Sequence, residues 1–454
     1  HSASPLLQYV RSSEWKDRYA ATVAKGLLKD TSNIVTTNEA IRNIRSNKDS
    51  LWAISSRPTT SILEQITEQE LSIALIRRLT RVTLDTLLSE LENVLQALSR
   101  TSSVRAEVIT TKIIRSIEVP AAKPWQDFAL SWFDQNSRDP RHFAAISSLL
   151  FASGNWKEAE KTISYAEGFD HIQRQRLMIK NAYSKLSGNW NLEPIKSDNK
   201  KKRYSPKKNS VLYLAHMSLP FENAGYCTRT HGMIIEYAKI NPNIHIALRF
   251  GYPLDKHKLA SVEEVEPEVI IDGIRYAFSP DDLGMKESDE DQYIDLATRN
   301  LIERAYKEKP ALIHAASNYL NGAIGLKAAR SLGIPFIYEV RGLWHMSRAA
   351  RDKSFTVNHS IYQAMDLAEI EVAKGADLVF AITYAVKNHL IAGGVNPERI
   401  RVLPNATNTD RFQLIEKDLK LKKELRITED IIIGYVGSLV DYEGLNYLLI
   451  AFSN

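Results

Sequence analysis

Short apolar runs alternate with amphipathic stretches from about Ser210 onward. The runs VLYLAHMS, IHIALRF, ALIHAAS, FIYEVR and LVFAIT have the length of strands. Between them apolar residues recur at helical spacing, and after Ser360 one helix face carries Ile361, Met365, Ala368 and Val372. Alternating strands and helices are typical of a parallel sheet with crossover helices. The pattern predicts a doubly wound α/β domain over residues 210–412.

The pattern before this domain is helical, from Pro5 to about Ile195. Apolar residues recur in steps of three and four at Leu84, Leu87, Leu88, Leu91, Val94, Leu95 and Leu98. Such a stripe packs against another helix, either in a bundle core or in a coiled-coil dimer seam. We predict an all-α domain over residues 1–195.

The tetrapeptide SGNW occurs twice near the end of this region, at Ser153–Trp156 and at Ser187–Trp190. The interval is 34 residues, which is the period of tetratricopeptide repeats. We therefore predict a tetratricopeptide-like end to the N-terminal domain. Helices of such repeats stack into a concave surface, so a protein partner or self-association is the expected use of this half.

Positive charge is concentrated in one tract, which we assign to residues 196–209. Lys196–Lys208 hold seven Lys or Arg and one Asp, an excess larger than the net charge of +5 of the whole chain. A nucleic-acid-binding face needs basic residues spread over a domain, so we expect no nucleic-acid partner. Two interpretations of the tract stay open: a solvated linker, or a segment attracted to anionic lipid.

Composition favours a globular protein of two or three domains, because 454 residues exceed the usual size of one core and 44% of them are hydrophobic. Cys227 is the only cysteine, which excludes an intrachain disulfide and favours a reducing compartment. No apolar run approaches the roughly 18 to 20 residues of a spanning helix. We expect a cytoplasmic protein, with contact to the inner face of the membrane as the option that the basic tract leaves open.

The end of the sequence has the pattern of a second α/β domain. A charged linker over residues 413–429 leads to IIIGYVGSL, which predicts a strand and turn, and then to a helix with Leu445, Leu448, Leu449 and Phe452 on its buried side. A domain of this kind has on the order of 100 to 150 residues. We therefore expect residues 430–454 to hold only its first strand and helix.

Three segments carry a resemblance to a known family: FIYEVRGLW at Phe336–Trp344, IRVLPNATNTDRF at Ile400–Phe412, and IIIGYVGSLVDYEGL at Ile431–Leu445. Together they resemble the retaining family-4 glycosyltransferases of the GT-B fold. The resemblance implies an acceptor-side Rossmann-like domain over 210–412 and a truncated donor-binding Rossmann-like domain over 430–454.

That resemblance also implies an activity. The complete protein would be a hexosyltransferase that moves a sugar from a nucleotide-sugar donor to an acceptor hydroxyl with retention, in the synthesis of a polysaccharide or glycoconjugate. The implied partners are a nucleotide sugar and a glycan or lipid-linked acceptor. Because the donor domain is incomplete, we expect residues 1–454 alone to lack transferase activity.

Candidate site residues come from the same resemblance. Arg341, at the carboxyl edge of a strand, and His345 are the candidate catalytic residues; an ion pair with Glu339 is the structural alternative for Arg341. His314 has the alternative of a packed core histidine. Arg229 and His231 are half a helical turn apart and need not face one site. The full set of substrate-binding candidates is Gly225, Tyr226, Arg229, His314, Asn318 and Asn405, with Gly437 and Ser438 expected at the donor phosphates.

The chain departs from its relatives in the donor domain, where they commonly place Arg at Ser438 and Lys at Glu443. The run Asp289–Asp291 resembles a metal-binding Asp-x-Asp, but it follows no apolar strand, and Ser288 with Asp291 fits a helix cap. No His or Cys spacing indicates zinc. The resemblance implies no metal and no cofactor, because enzymes of the GT-B fold offset the charge of the leaving group with helix ends and basic side chains.

Three functions other than sugar transfer were compared with the sequence, which disfavours the first two and leaves the third open. A nucleotide-sugar epimerase lacks recognisable catalytic carboxylates and histidines here. A dinucleotide-dependent oxidoreductase requires G-x-G-x-x-G after the first strand, and HMSLPFENAG does not supply it. A helical scaffold or interaction protein with a non-catalytic glycosyltransferase-like domain stays open as the alternative.

Overall fold

The computed structural model describes residues 88–89, 92–93, 95–96, 127–128, 130–131, 140–152, 154–166, 168, 172–195, 204–256, 265–281, 289–352, 355–410, 412–428, 431–437 and 443–453. The chain divides into two compact units. The first consists of His1–Asn191, Lys286–Asp291 and Ser354–Leu367; the second consists of Leu192–Met285, Gln292–Lys353 and Ala368–Asn454.

The first unit has a helical core built from α1 (Pro140–Ala152), α2 (Trp156–Ser164) and α3 (Gln173–Leu186). The Ser147 hydroxyl donates to the Ala159 carbonyl at 2.6 Å and joins α1 to α2. Their apolar faces are buried, at Phe143, Ile146, Leu150, Ile163, Leu177 and Ile179. The leucine stripe predicted over Leu84–Leu98 lies largely outside the described residues.

Both SGNW copies end a helix in the same way. Gly154 and Gly188 have φ values of +85° and +75°, a left-handed conformation that glycine adopts without steric cost. The next amide in each copy bonds back five residues, from Asn155 to the Leu150 carbonyl and from Asn189 to the Ser184 carbonyl, both at 2.9 Å. The repeat in the sequence is therefore a repeated helix C-cap.

The two copies differ on the C-terminal side of the cap. Trp156 begins α2, whereas residues 189–195 after the second copy form no helix. Pro194 lies four residues after Trp190, where its ring and its missing amide hydrogen would disrupt the first turns of a helix. Within the described residues, the chain thus contains one complete helix–turn–helix unit at this period, and the second is interrupted by proline.

The second unit contains an eight-stranded sheet within the described residues, so the predicted α/β domain with a mostly parallel, Rossmann-like sheet is confirmed. The strand order is β3-β4-β2-β1-β5-β6-β7-β8. Every neighbouring pair is parallel except β3 and β4. The strands are β1 Val211–Ala215, β2 Ile244–Leu248, β3 Glu268–Ile271, β4 Ile274–Ala277, β5 Leu312–Ala316, β6 Phe336–Val340, β7 Leu378–Ala381 and β8 Ile400–Val402.

The helices that alternate with these strands pack against the sheet and bury apolar side chains between helix and sheet. Helix α6 is almost entirely buried, from Tyr319 to Leu332, and strand β1 is buried at all five positions. The helices along the chain are α4 Gly225–Ile240, α5 Glu290–Glu308, α6 Tyr319–Leu332, α7 Trp344–Ala349, α8 Ser360–Gly375, α9 Tyr384–Ala392, a 3-10 turn Pro397–Arg399, α10 Leu419–Glu424 and α11 Leu445–Ser453.

The β3–β4 hairpin was missed by the sequence analysis. Asp272 and Gly273 connect the two strands with φ values of +50° and +79°, as expected for a two-residue hairpin turn. The signal was present in the sequence, because Asp-Gly stands between alternating apolar residues in EVIIDGIRYAF. This antiparallel edge extends an otherwise parallel sheet.

The basic tract ends beside the sheet. Residues at the end of the basic tract are tied to the second unit: the Tyr204 hydroxyl donates to the Pro310 carbonyl at 2.7 Å, and the Lys207 amide donates to the Lys309 carbonyl at 2.7 Å. Residues 196–203 of that tract lie outside the described residues.

None of the helices in the described ranges is long and apolar enough to cross a membrane.

The strand predicted at IIIGYVGSL is not formed by residues 431–437. Their apolar side chains are exposed, with 79% of Ile431 accessible. A strand exists only where a neighbouring strand satisfies its backbone groups, and no described strand lies beside this segment. The helix predicted after it is present as α11. On the side predicted to be buried, Leu448, Leu449 and Phe452 are exposed and Leu445 is half-buried.

Candidate functional site

The sheet has a topological switch point between β1 and β5. From β1 the chain proceeds to β2 on one side, whereas β5 pairs with β1 on the other side. Doubly wound folds bind ligands outside the carboxyl ends of the strands at such a point. Side chains of β1, β5 and β6 meet there, and they form the candidate site.

Glu339 of β6 is the centre of this site and is 1% exposed. Arg341 Nη2 donates to Glu339 Oε2 at 3.1 Å, and Arg341 Nε lies 3.0 Å from Glu339 Oε1. Arg341 Nη1 donates to Thr230 Oγ1 at 2.6 Å and to the Tyr226 carbonyl at 3.2 Å. The ion pair considered as the alternative for Arg341 is present, and only 9% of its side chain is exposed.

Arg229 of α4 is a second guanidinium on the same carboxylate. Its Nη2 donates to Glu339 Oε1 at 3.0 Å and to the Leu403 carbonyl at 3.2 Å, and its Nη1 donates to Asn405 Oδ1. Asn405 is thereby held at the same edge of the sheet. Two cations face one buried anion, so the pair of arginines and Glu339 keep one net positive charge.

Tyr213 and His314 complete the cluster from β1 and β5, where they are register partners. The Tyr213 hydroxyl donates to Glu339 Oε2 at 2.8 Å and accepts from Arg341 Nη2 at 2.5 Å. His314 packs edge-to-face on Tyr213, with ring centroids 4.7 Å apart, and its Nε2 lies 3.5 Å from Glu339 Oε2. His314 is therefore both packed against rings and adjacent to the charged cluster.

The cluster determines the protonation states of its members. Burial alone would raise the pKa of Glu339, but the neighbouring His314 and the charge of Arg341 hold that pKa well below its usual range. Burial and the adjacent Glu339 raise the pKa of the Tyr213 hydroxyl well above its ordinary value. Burial disfavours the charged form of Arg341, yet Tyr213 and Glu339 keep its pKa raised. Glu339 is therefore ionised, and Tyr213 remains a hydrogen-bond donor.

The depressed pKa of Glu339 predicts a loss of stability in acid. The unfolded chain protonates this carboxyl group near the usual pKa of about 4.3, whereas the folded state keeps it ionised at lower pH. Its contribution is complete above about pH 5 and is lost as pH falls through the folded-state pKa. We expect the difference in the free energy of unfolding between wild type and Glu339→Gln to shrink between about pH 5 and pH 3 in urea titrations. A difference independent of pH would contradict the assignment.

Helix α4 begins at Gly225, as predicted. No side chain caps its N-terminus, and a Cβ atom on Gly225 would meet nothing within 4 Å. Open space at a helix start lets a ligand approach the backbone amides, which carry partial positive charge. The candidates Gly225, Tyr226 and Arg229 thus lie within the first turns of this helix.

Other candidates lie apart from this arrangement. His231 Nδ1 lies 2.7 Å from the Tyr276 hydroxyl, and its Nε2 lies 2.9 Å from Asp272 Oδ2. His231 and Arg229 therefore contact different groups of residues. His345 is fully buried, with its ring centroid 6.2 Å from that of His389, and therefore offers no surface to a substrate.

The remaining candidates lie in a loop and at the end of the chain. Asn318, in the loop after β5, is 2% exposed. Gly437 lies in the exposed segment 431–437, and Ser438 is outside the described residues. The run at Asp289 lies at the start of α5, where Asp289 Oδ1 accepts from the Asp291 amide at 3.1 Å. Ser288, which was expected to form the cap with Asp291, lies outside the described residues.

Part of the chain that forms the candidate site matches a known protein family. Residues 284–411 match Glycosyltransferase Family 4. This segment is a family 4 domain. It includes β5 to β8, with His314, Glu339, Arg341 and Asn405, and the resemblance stated from the sequence is confirmed over these residues. No curated protein matches the chain.

The chain is also similar to several solved structures. Similar chains occur in the structures of Anabaena Alr3699/HepE in complex with UDP, with UDP and glucose, and with UDP-glucose. Sequence identity is 16% over 54% of this chain, and the TM-scores are 0.37, 0.37 and 0.36. The present chain spans 57% of the length of those chains.

The sequence analysis missed three members of the cluster around the family 4 segment. Tyr213 and Thr230 were not candidates, and Glu339 was considered only as an ion-pair partner. A usable signal existed for Glu339, because a carboxylate inside the apolar strand FIYEV requires buried partners. Nothing comparable marks Tyr213, since a tyrosine in a buried strand is ordinary.

Proposed function

We propose that this protein is a retaining glycosyltransferase of the GT-B type, in which residues 210–412 bind the acceptor and a nucleotide sugar is the donor. One observation carries the proposal: a buried cluster with a net positive charge lies at the switch-point edge of a parallel sheet, inside and beside the family 4 segment. Its arginines adjoin the uncapped start of α4. A charged donor and the leaving diphosphate require such an environment.

Within this proposal Arg341 is a positioning residue. All its guanidinium nitrogens contact Glu339, Tyr213, Thr230 or the Tyr226 carbonyl. It connects the end of β6 to the first turns of α4 and fixes the backbone of Gly225 relative to the strand ends. Accurate placement of this kind supplies much of the rate enhancement of enzymes.

The decisive experiment changes Gly225, where function and stability can be separated. A valine side chain at this position would extend into open space, so we expect Gly225→Val to fold normally and to lower kcat/KM by at least about tenfold by blocking the approach to the helix start. The measurement is sugar transfer by the natural protein that carries this sequence. UDP-glucose is tested first, with GDP- and ADP-linked sugars as alternatives.

Gly232→Val is the matched control. Gly232 belongs to the same helix, is exposed, and has equally open space around its Cβ position, so activity should remain within about twofold. Equal activity of both variants and wild type would contradict the role of the α4 start. Failure of every nucleotide sugar to bind or react would contradict the proposed function.

A second candidate is an interaction protein with a non-catalytic glycosyltransferase-like domain. The burial of Arg341 favours it: only 9% of the side chain is exposed and it is ion-paired with Glu339, so little of this cation is within reach of a substrate. The helical unit of α1 to α3 would then provide the partner-binding surface. The same titration separates the two candidates, since a scaffold would bind none of the nucleotide sugars.

A further inference from the structure

Two exposed aromatic residues, Trp344 and Tyr226, lie at the edge of the sheet that holds the candidate site, and their side chains take no part in the contacts of the charged cluster. Trp344 and Tyr226 are 39% and 36% exposed, so each presents more than a third of its surface to solvent. Each begins or nearly begins a helix that follows a strand of the sheet. Both therefore stand at the carboxyl edge, where ligands of this fold class bind.

Each of the two aromatic side chains contacts one of two consecutive residues after β1. The Trp344 ring packs edge-to-face on His216 with centroids 5.1 Å apart, and the Tyr226 hydroxyl lies 3.6 Å from Met217 Sδ. An edge-to-face contact occupies at most one face of the indole. The indole nitrogen makes no hydrogen bond to the described residues, so Trp344 has both apolar surface and a donor available.

A buried acceptor lies in the neighbouring loop. Asn318 is 2% exposed, and its Oδ1 atom has no hydrogen-bond partner among the described residues. The preceding residue, Ser317, accepts the Arg341 amide at 3.0 Å, which joins the loop after β5 to the loop that leads to Trp344. A buried oxygen without a partner costs free energy that a ligand hydroxyl can recover.

We propose that Trp344, Tyr226 and Asn318 form a subsite for one pyranose ring of a glycan acceptor, an inference that rests on the proposed function. A pyranose has an apolar face of C–H groups and a rim of hydroxyls. The electron-rich face of an aromatic ring attracts the C–H face, and the Asn318 oxygen and the indole nitrogen match the hydroxyls. A lipid chain would leave both polar groups unpaired.

The subsite is tested with soluble oligosaccharides: cellopentaose, maltopentaose and mannopentaose. Saturation-transfer NMR and calorimetry with the whole chain should show binding of at least one, with the strongest transfer to axial ring protons. We expect Trp344→Ala to weaken this binding at least about tenfold, and Trp344→Phe, which keeps an aromatic face but loses the donor, to weaken it about threefold. The proposal would be overturned if none of the three oligosaccharides bound, or if Trp344→Ala bound them as tightly as the wild type does.

Two further variants exclude a structural explanation. Tyr237→Ala removes an aromatic residue that is likewise 39% exposed, farther along α4, and should leave binding unchanged. Asn318→Ala removes an oxygen that bonds to nothing among the described residues, so binding should weaken about fivefold while the melting temperature stays within about 3 °C. An equal loss in Tyr237→Ala would overturn the assignment to Trp344.

Parallel titrations with UDP-glucose and UDP distinguish the sources of the sugar ring. If Trp344→Ala weakened the binding of UDP-glucose but of none of the oligosaccharides, the bound sugar ring would belong to the donor. That result would overturn the acceptor subsite. Oligosaccharide binding that depends on Trp344, together with no binding or turnover of any nucleotide sugar, would support the subsite and contradict the proposed transferase. The two hypotheses therefore fail on different measurements.

Discussion

Replacing Glu339 with glutamine is expected to lower the free energy of unfolding by about 3–5 kcal/mol at neutral pH. The substitution preserves the size of the side chain but removes the one negative charge that Arg229 and Arg341 share. Both guanidinium groups would then remain buried without a counter-charge, at side-chain exposures of 11% and 9%. Urea unfolding of the purified protein, followed by circular dichroism, measures the change.

Glu371→Gln is the control for this prediction. Glu371 pairs with Lys374 at 2.9 Å, but both side chains are about two-fifths exposed, at 41% and 39%. An exposed pair of this kind contributes between about 0 and 1 kcal/mol. Equal effects of the two substitutions would show that the Glu339 cluster is as solvated as the surface pair.

A double-mutant cycle extends the test of the cluster. Arg341→Met alone removes one of two cations, so Glu339 retains Arg229 as its partner. Combined with Glu339→Gln, it should cost less than the sum of the single changes, because residues of one buried network couple by about 0.5–3 kcal/mol. Additive effects would contradict a shared network.

Gly322→Ala is expected to destabilise the protein by about 1–3 kcal/mol through overpacking. A Cβ atom at this position of α6 would stand 2.5 Å from Val372 Cγ1 and 2.7 Å from Tyr338 Cε2. Both neighbours are completely buried. The Tyr338 hydroxyl is held by the buried carboxylate of Glu369, so the ring cannot move aside without losing that hydrogen bond.

Gly232→Ala is the control for Gly322→Ala: it makes the same chemical change, but it is expected to stabilise the protein. Gly232 lies in α4 and has open space around its Cβ position, so alanine should stabilise the helix by about 0.5–1 kcal/mol. Chemical denaturation of both variants measures the two values. Destabilisation by Gly232→Ala of the same size as by Gly322→Ala would mean that packing at Gly322 is not the cause.

Sequence patterns were sufficient for the parallel sheet. Buried strands such as β1 and β6 are short apolar runs, and the stretches between them repeat at helical spacing, so element type follows from local periodicity. The family resemblance came from FIYEVRGLW and IRVLPNATNTDRF, and these segments lie almost entirely within the matched residues 284–411. Gly225 as a helix start was also predictable from its position after the first strand.

Tertiary structure alone decided the environment of each site residue. Arg341 and Arg229 are 112 residues apart in the sequence, and only the pairing of β1, β5 and β6 brings their guanidinium groups to one carboxylate. Local pattern likewise failed at residues 431–437, where a strand-like sequence forms no strand because pairing requires a neighbour. Within residues 210–412 the sequence by itself determined which segments become the main strands and helices, since that depends on spacing along the chain. Which charges meet, and which remain in water, depends on strand order and burial, which only the folded chain defines.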